Sequence, residues 1–167
     1  MYGAVIMDKM PITKSGFENL KRELEHLKCV LIPANIRDIE TAREHGDLSE
    51  NAEYTAAKEK QSFLHGKLQE LENNLALSNI IDLKTLTNDK VVFGATVVIE
   101  EIVSGTQTNY QLVGPFESNI NANKISVTSP IGKALIGKSI GDEVKVQTPG
   151  GMRNFELVDI FINQSDI

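Results

Sequence analysis

The chain has 167 residues, 41% of them hydrophobic and 24% charged, enough for one ordinary core, or for one small core beside an elongated element that buries little. A net charge of −6 argues against an autonomous nucleic-acid binder, because affinity for phosphate backbones rests on clustered Lys and Arg that release counterions. The single cysteine, Cys29, gives neither a disulfide framework nor a Cys-based metal site; it fits a reducing compartment and reads as a small helix residue. At the N-terminus the apolar stretch Tyr2 to Met7 lacks a basic flank and is too short for a signal-peptide core or a membrane span, so the expectation is a cytoplasmic protein without membrane contact. Met7 and Met10 leave alternative starts, and residues 1–9 read as an extension without fixed structure.

Residues 15–79 are rich in Glu, Lys, Leu and Ala, hold one proline, Pro33, and carry apolar residues at helical spacing. Ser15 with Glu18 forms a capping-box pattern that starts the first helix. Leu20, Leu24, Leu27 and Leu31 then step by four, three and four, and Leu64, Leu68, Leu71 and Leu75 repeat those steps. Two matched seams predict an antiparallel coiled-coil hairpin, Leu20 facing Leu75 and Leu31 facing Leu64, so that paired positions sum to 95. The reversal then falls within Glu44 to Glu50. There Gly46 suits a positive-φ helix end, and Asp47 or Ser49 suits the next N-cap. Pro33 removes a backbone donor and predicts a kink in the first helix. Beyond it the seam is expected to run through Ile36, Ile39 and Ala42, against Ala52, Ala56 and Ala57.

From Val91 the period changes to two, with strands expected over 95–103, 109–113, 124–128, 143–147 and 154–161, and one short helix over 131–138. Gly114-Pro115, Gly141-Asp142 and Pro149-Gly150-Gly151 supply turns. Leu83 to Lys90, with Asn88-Asp89, reads as a connector. The predicted organisation is an α+β chain of two domains: 1–82, the coiled-coil arm with its short N-terminal extension, and 83–167, a small α+β domain.

Asp47 and Glu50, three residues apart at a helix start, have a plain reading as a capping box. Their place at the tip of a long, narrow arm supports another. Carboxylates at i and i+3 share a helical face and can share a magnesium ion, weakly unless other oxygens complete the octahedron. His26, His45 and His65 are too scattered for a metal site.

The run Ala42-Arg43-Glu44-His45-Gly46-Asp47-Leu48-Ser49-Glu50-Asn51-Ala52-Glu53-Tyr54, continued by Ala56-Ala57-Lys58-Glu59 and Gln61, closely resembles the tip signature of the Gre-type transcript-cleavage factors of bacteria. The resemblance extends from Pro11-Ile12-Thr13 through Phe93 to Val97, Ser129-Pro130-Ile131 and Leu135 to Lys138, to Thr148 to Gly151. It implies an arm followed by a domain similar in fold to FK506-binding proteins, and a factor that enters the secondary channel of RNA polymerase to stimulate cleavage of backtracked nascent RNA. The polymerase is then the enzyme. By the same resemblance Asp47 and Glu50 help to hold a second Mg²⁺ at its active site, Arg43 and Lys58 lie near the extruded RNA 3′ end, and DNA and RNA are met mainly through the polymerase. Arg37 faces Lys58 by the pairing rule and would extend that basic patch. Tyr54 matches a position where an aromatic braces the tip. The family often has Arg before the hairpin proline, where this chain has Leu31-Ile32-Pro33.

Two other classes of function compete. The implied fold hosts prolyl isomerases, whose pockets need clustered aromatics, and this domain offers only Phe93, Tyr110, Phe116, Phe155 and Phe161. A purely inhibitory channel binder would use the same arm without promoting cleavage.

Overall fold

The computed structural model describes residues 8–47, 51–87, 89–163 and 166–167. Expectations that fall on residues 1–7, on Leu48, Ser49 and Glu50, and on Asn88 lie outside the described residues. The chain divides into two compact units, Glu18–Leu77 and the described residues of Met1–Phe17 with Ser78–Ile167. The expected boundary between 82 and 83 is a single cut, whereas these units interleave. The reason is a strand pair that periodicity could not reveal: β1 (Met10–Ile12) runs parallel to β2 (Ser78–Ile80), Met10 opposite Ser78 and Ile12 opposite Ile80.

The first unit is built from α1 (Lys14–His26), a π-helical turn over Leu27–Leu31, α2 (Ile32–Glu44) and α3 (Ala52–Leu77). Its seam is narrow. Leu20, Leu27, Asn35, Ile39 and Ala42 are buried on the first limb and Ala57, Leu64 and Leu71 on the second, while Leu24, Leu31, Leu68 and Leu75 are only half-buried. Along α3 the buried positions repeat every seven residues; on the first limb Leu20, Leu27, Asn35 and Ala42 step by seven, eight and seven. The π turn supplies the extra residue, the Ile32 N–H reaching the Leu27 carbonyl five residues back. It lies immediately before Pro33, where the proline ring would crowd the carbonyl four residues earlier in a regular α-helix. The phase shift corrects the sequence reading: Ile36 is 46% exposed, and Asn35, 2% exposed, takes its place in the seam.

The second unit holds a five-stranded sheet of β3 (Ala95–Glu101), β4 (Gln107–Val113), β5 (Lys124–Ser126), β6 (Glu143–Thr148) and β7 (Gly151–Ile162), ordered β5-β4-β3-β7-β6. All neighbours are antiparallel except β4 and β5. The helix α4 (Pro130–Leu135) is shorter than expected and is capped by Ser129, whose hydroxyl accepts from the Gly132 N–H. Val97, Ile99, Leu112, Leu135 and Leu157 form the centre of the core. A bulge at Val98/Ile99, opposite Asp159 and Leu157, lets Val158 drop out of register on β7.

The N-terminal segment is tied into this unit by side chains. Thr13, not Ser15, caps α1, its hydroxyl oxygen accepting from the Gly16 N–H at 3.0 Å. Glu117 receives the Thr13 N–H at 2.9 Å, the Gly114 N–H at 3.0 Å and the Thr13 hydroxyl. The Ser15 hydroxyl donates to Asp166, whose other oxygen accepts from Gln111 Nε2 at 2.6 Å. Gly16 permits this approach, since a Cβ there would lie 1.9 Å from a Glu117 oxygen.

Candidate functional site

The reversal of the helical unit begins where α2 ends at Glu44. His45 leaves the helix with φ −80° and ψ 0°, and Gly46 takes φ +113°, a region that a side chain would strain. Asp47 follows, exposed; Glu50 lies outside the described residues. The second helix starts at Ala52, and its cap among the described residues is Asn51. The Asn51 Oδ1 accepts from the Tyr54 N–H at 3.1 Å, while its Nδ2 donates to the Ala42 carbonyl across the reversal at 2.7 Å. A shallow hollow of about 370 Å³ at the tip is lined by His45, Asp47, Asn51, Ala52 and Glu53.

The two flanks of the distal hairpin differ. With about 100° of rotation per residue, one flank carries Asp38 paired with Lys60 at 3.6 Å and His45 with Glu53 at 2.8 Å. The opposite flank carries Arg43, Tyr54 and Lys58. Arg43 stands over the Tyr54 ring, 6.0 Å from its centroid, and Lys58 Nζ donates to Gln61 Oε1 at 2.6 Å. Thus the structure brings Arg43, Tyr54 and Lys58 together on one side. Arg37 does not join them: two residues past the buried Asn35, it turns to the outside of α2, because the π turn has shifted the pairing expected from the leucine seams. Asn35 itself donates from Nδ2 to the Ala57 carbonyl at 2.9 Å.

Sequence reasoning passed over both asparagines. Asn51 sits three residues before Tyr54 at the head of an unbroken helical run, a signal masked by the two better-known cap candidates, Asp47 and Ser49. For a metal ion, carboxylate oxygen is the right donor type for Mg²⁺. Among the described residues no group of three or more His, Cys, Asp and Glu is placed to hold an ion, so Asp47 would have to share one with oxygens from elsewhere.

In the sheet unit a cleft of about 460 Å³ is lined by Tyr110, Ile131, Val146 and Phe155, among others, with Glu101 and Arg153 also in its wall. Two of the five expected aromatics therefore meet here. Arg153 Nε donates to Glu101 Oε1 at 2.7 Å and lies 5.5 Å from the Phe155 centroid. Hydrogen bonding from Arg153, seconded by Ser104, holds the Glu101 carboxyl down at about 2. Among the described residues no helix is long and apolar enough to cross a membrane.

Comparison with known proteins covers the length of both units. The family model described as "Transcription elongation factor, N-terminal" matches residues 10–80, and that described as "Transcription elongation factor, GreA/GreB, C-term" matches residues 86–161. Transcription elongation factor GreA of Syntrophus aciditrophicus is 84% identical over 161 residues, spanning 96% of this chain and 100% of the relative. The protein of that name from Syntrophobacter fumaroxidans is 50% identical over 154 residues, spanning 92% and 99%. A crystal structure of GreA factor homolog 1 from Thermus thermophilus is 29% identical and covers 92% of this chain and 99% of its own, with a TM-score of 0.43; that low score leaves the assignment to the sequence matches. On those matches, the chain belongs to the GreA/GreB family of transcription elongation factors.

Proposed function

We propose that this chain enters the secondary channel of RNA polymerase tip first and stimulates the polymerase's own endonucleolytic cleavage of backtracked nascent RNA. The observation that carries this reading is the position of Asp47 in a chain of this family. It lies exposed, past the last turn of α2 and ahead of Asn51, whose side chain accepts from the Tyr54 N–H at the start of α3. Asp47 and Glu50 would hold a Mg²⁺ jointly with the polymerase and the RNA. When bound, such an ion stabilises developing negative charge and activates a water for attack on the phosphodiester. The contribution of this chain is two anionic oxygen donors presented at the end of a thin arm, with too few ligands to bind the ion tightly alone. Arg43 and Lys58, on the flank of the distal hairpin opposite the Asp38–Lys60 and His45–Glu53 pairs, face the extruded RNA 3′ end, and Tyr54 braces Arg43.

The second unit we take to be similar in fold to FK506-binding proteins and to dock on the rim of the polymerase channel through the cleft around Ile131 and Phe155. An apolar cleft offers burial that the polar arm lacks. The setting is cytoplasmic, with DNA and RNA met through the polymerase and no membrane contact.

The deciding experiment places wild type, Asp47→Asn and Glu50→Gln with a stalled, backtracked polymerase complex and labelled RNA. Each substitution should lower stimulated cleavage by on the order of 100-fold, the scale of losing one preorganised electrostatic contact, with polymerase binding retained. Near-normal cleavage by both variants would leave a channel binder without catalytic assistance. In a separate binding measurement, Ile131→Asp should weaken polymerase affinity while the arm stays intact; unchanged affinity would remove the cleft from the docking surface.

A further inference from the structure

Every helix end has carbonyls or N–H groups with no partner inside the helix. At the arm's reversal, two such ends meet. Ala42 lies in the last turn of α2, and its carbonyl receives the His45 N–H at 3.3 Å and the Asn51 amide at 2.7 Å. Tyr54 lies in the first turn of α3, and its N–H goes to the other end of the same Asn51 amide at 3.1 Å. One half-buried side chain thus spans from the last turn of one helix to the first turn of the next. Between its attachment points runs the segment 43–50, which contains both Asp47 and Glu50. Glu50 is the residue directly before the strap.

An amide suits this work because it carries a donor and an acceptor on one planar group. Aspartate offers only acceptors, and a serine hydroxyl at this position is too short to reach both partners. Either would still cap α3, since Asp and Ser cap about as well as Asn. The cap therefore does not explain the amide; the bond to Ala42 does.

We infer that Asn51 is a positioning residue for the tip: by strapping the ends of α2 and α3 together it fixes the distance across the reversal, and so where Asp47 stands. The inference rests on the cleavage-factor reading given above. Displacements of about 1 Å at a reacting centre can cost on the order of 100-fold in rate, so the loss of one cross-reversal bond is expected to be visible in function while burial in the helical unit is untouched.

The test uses the full chain with Asn51→Asp, Asn51→Ser and Asn51→Ala, and with Asp47→Asn as a reference. In the free protein, the carbonyl ¹³C resonance of Ala42 should move in all three variants as its second donor is lost, while the Tyr54 amide stays protected from hydrogen exchange in the Asp and Ser variants and loses protection in Ala. With backtracked polymerase, Asn51→Asp and Asn51→Ser should bind as wild type does, cleave about tenfold more slowly, and need several-fold more Mg²⁺ for half-maximal rate. Three results would overturn the inference. One is normal cleavage and Mg²⁺ dependence in Asp and Ser with Asp47→Asn inactive, in which case the tip reading stands and only the strap falls. Another is a cleavage loss that merely tracks melting temperature across the three Asn51 variants, which would make Asn51 scaffold. Normal cleavage by Asp47→Asn would remove the cleavage-factor reading beneath it.

Discussion

The helical unit and the sheet unit are held together by different means. In the sheet unit, Val97, Leu112, Leu135 and Leu157 are fully enclosed, all within one core that strands and α4 share. In the helical unit the buried set is a single file, interrupted by Asn35, and the half-buried leucines beside it leave one side to water. A file this narrow can fix which residues face each other only if something other than burial defines the register. The side-chain amides do so, Asn35 on Ala57 and Asn51 on Ala42. The lesson is that the sheet unit supplies stability by area, and the arm supplies position by hydrogen bonds.

The largest break in this contrast should come from the core. Leu157→Ala, at a site with 0% exposure, should cost about 3–5 kcal/mol, the range for a fully packed leucine, whereas Leu64→Ala in the arm should cost about 2–3 kcal/mol because half-exposed neighbours can close over the gap. Denaturant melts of the two variants would separate these; equal losses would mean that the arm is packed as tightly as the sheet. Next in size is Glu117→Ala. It removes a carboxylate that receives three donors from Thr13 and Gly114 and should lower stability by about 2–3 kcal/mol, as for hydrogen bonds to a charged group. Hydrogen exchange should localise the change to β1 and the start of α1.

Asn35→Leu should go the other way. The Ala57 carbonyl keeps its own helical partner, so no acceptor is orphaned, and a polar residue at a seam position fixes register at some cost in stability. A gain of about 0.5–1 kcal/mol in melting, with alternative pairings detectable between spin labels on α2 and α3, is the expected outcome; a loss of stability would show that the amide contributes more than register. The smallest effect concerns Arg153→Ala. Because hydrogen bonds from Arg153 first and Ser104 second lower the Glu101 carboxyl from 4.5 to about 2, the contribution of the Arg153 pair is present above pH 4.5 and fades as pH falls through 2. Wild type and variant should therefore differ at neutral pH and converge in strong acid. A difference that persists about one pH unit below 2, where the carboxyl is protonated in both states, would assign the effect to the packing of Arg153 on Phe155 instead.

How much of this was legible in the sequence follows from the same contrast. The leucine seams of α1 and α3 are periodic over many residues, and period is what a sequence displays best, so the hairpin and its reversal could be read. Asn35 could not, because the π turn at Leu27–Leu31 adds one residue to the count and turns Ile36 and Arg37 out of the places expected for them, although Ile39 and Ala42 are buried as expected. The strands of the sheet were placed by alternation to within a few residues at most ends, but β1 and β2, at three residues each, are too short to alternate. At the tip, Asp47 and Glu50 stood out as charges, while Asn51, whose value lies in offering a donor and an acceptor at once, has no periodic or electrostatic signature. Arg43, Lys58 and Tyr54 were singled out by resemblance to the family tip, and only the structure adds that Arg43 stands over the Tyr54 ring.

The parallel pairing of β1 with β2 has a consequence for anyone who wishes to exchange parts between relatives. Strand neighbours lie about 4.8 Å apart, so the chain leaves one unit and returns to it at almost the same point, with Glu18–Leu77 looped out between. In genetic terms the arm is an insertion rather than an N-terminal half. A cut at residue 80 would strand Thr13 and Ser15 without Glu117 and Asp166, damaging both fragments at once. A graft that joins at Phe17 and at Ser78 transfers the arm whole, and leaves behind a sheet unit with all of its own hydrogen bonds.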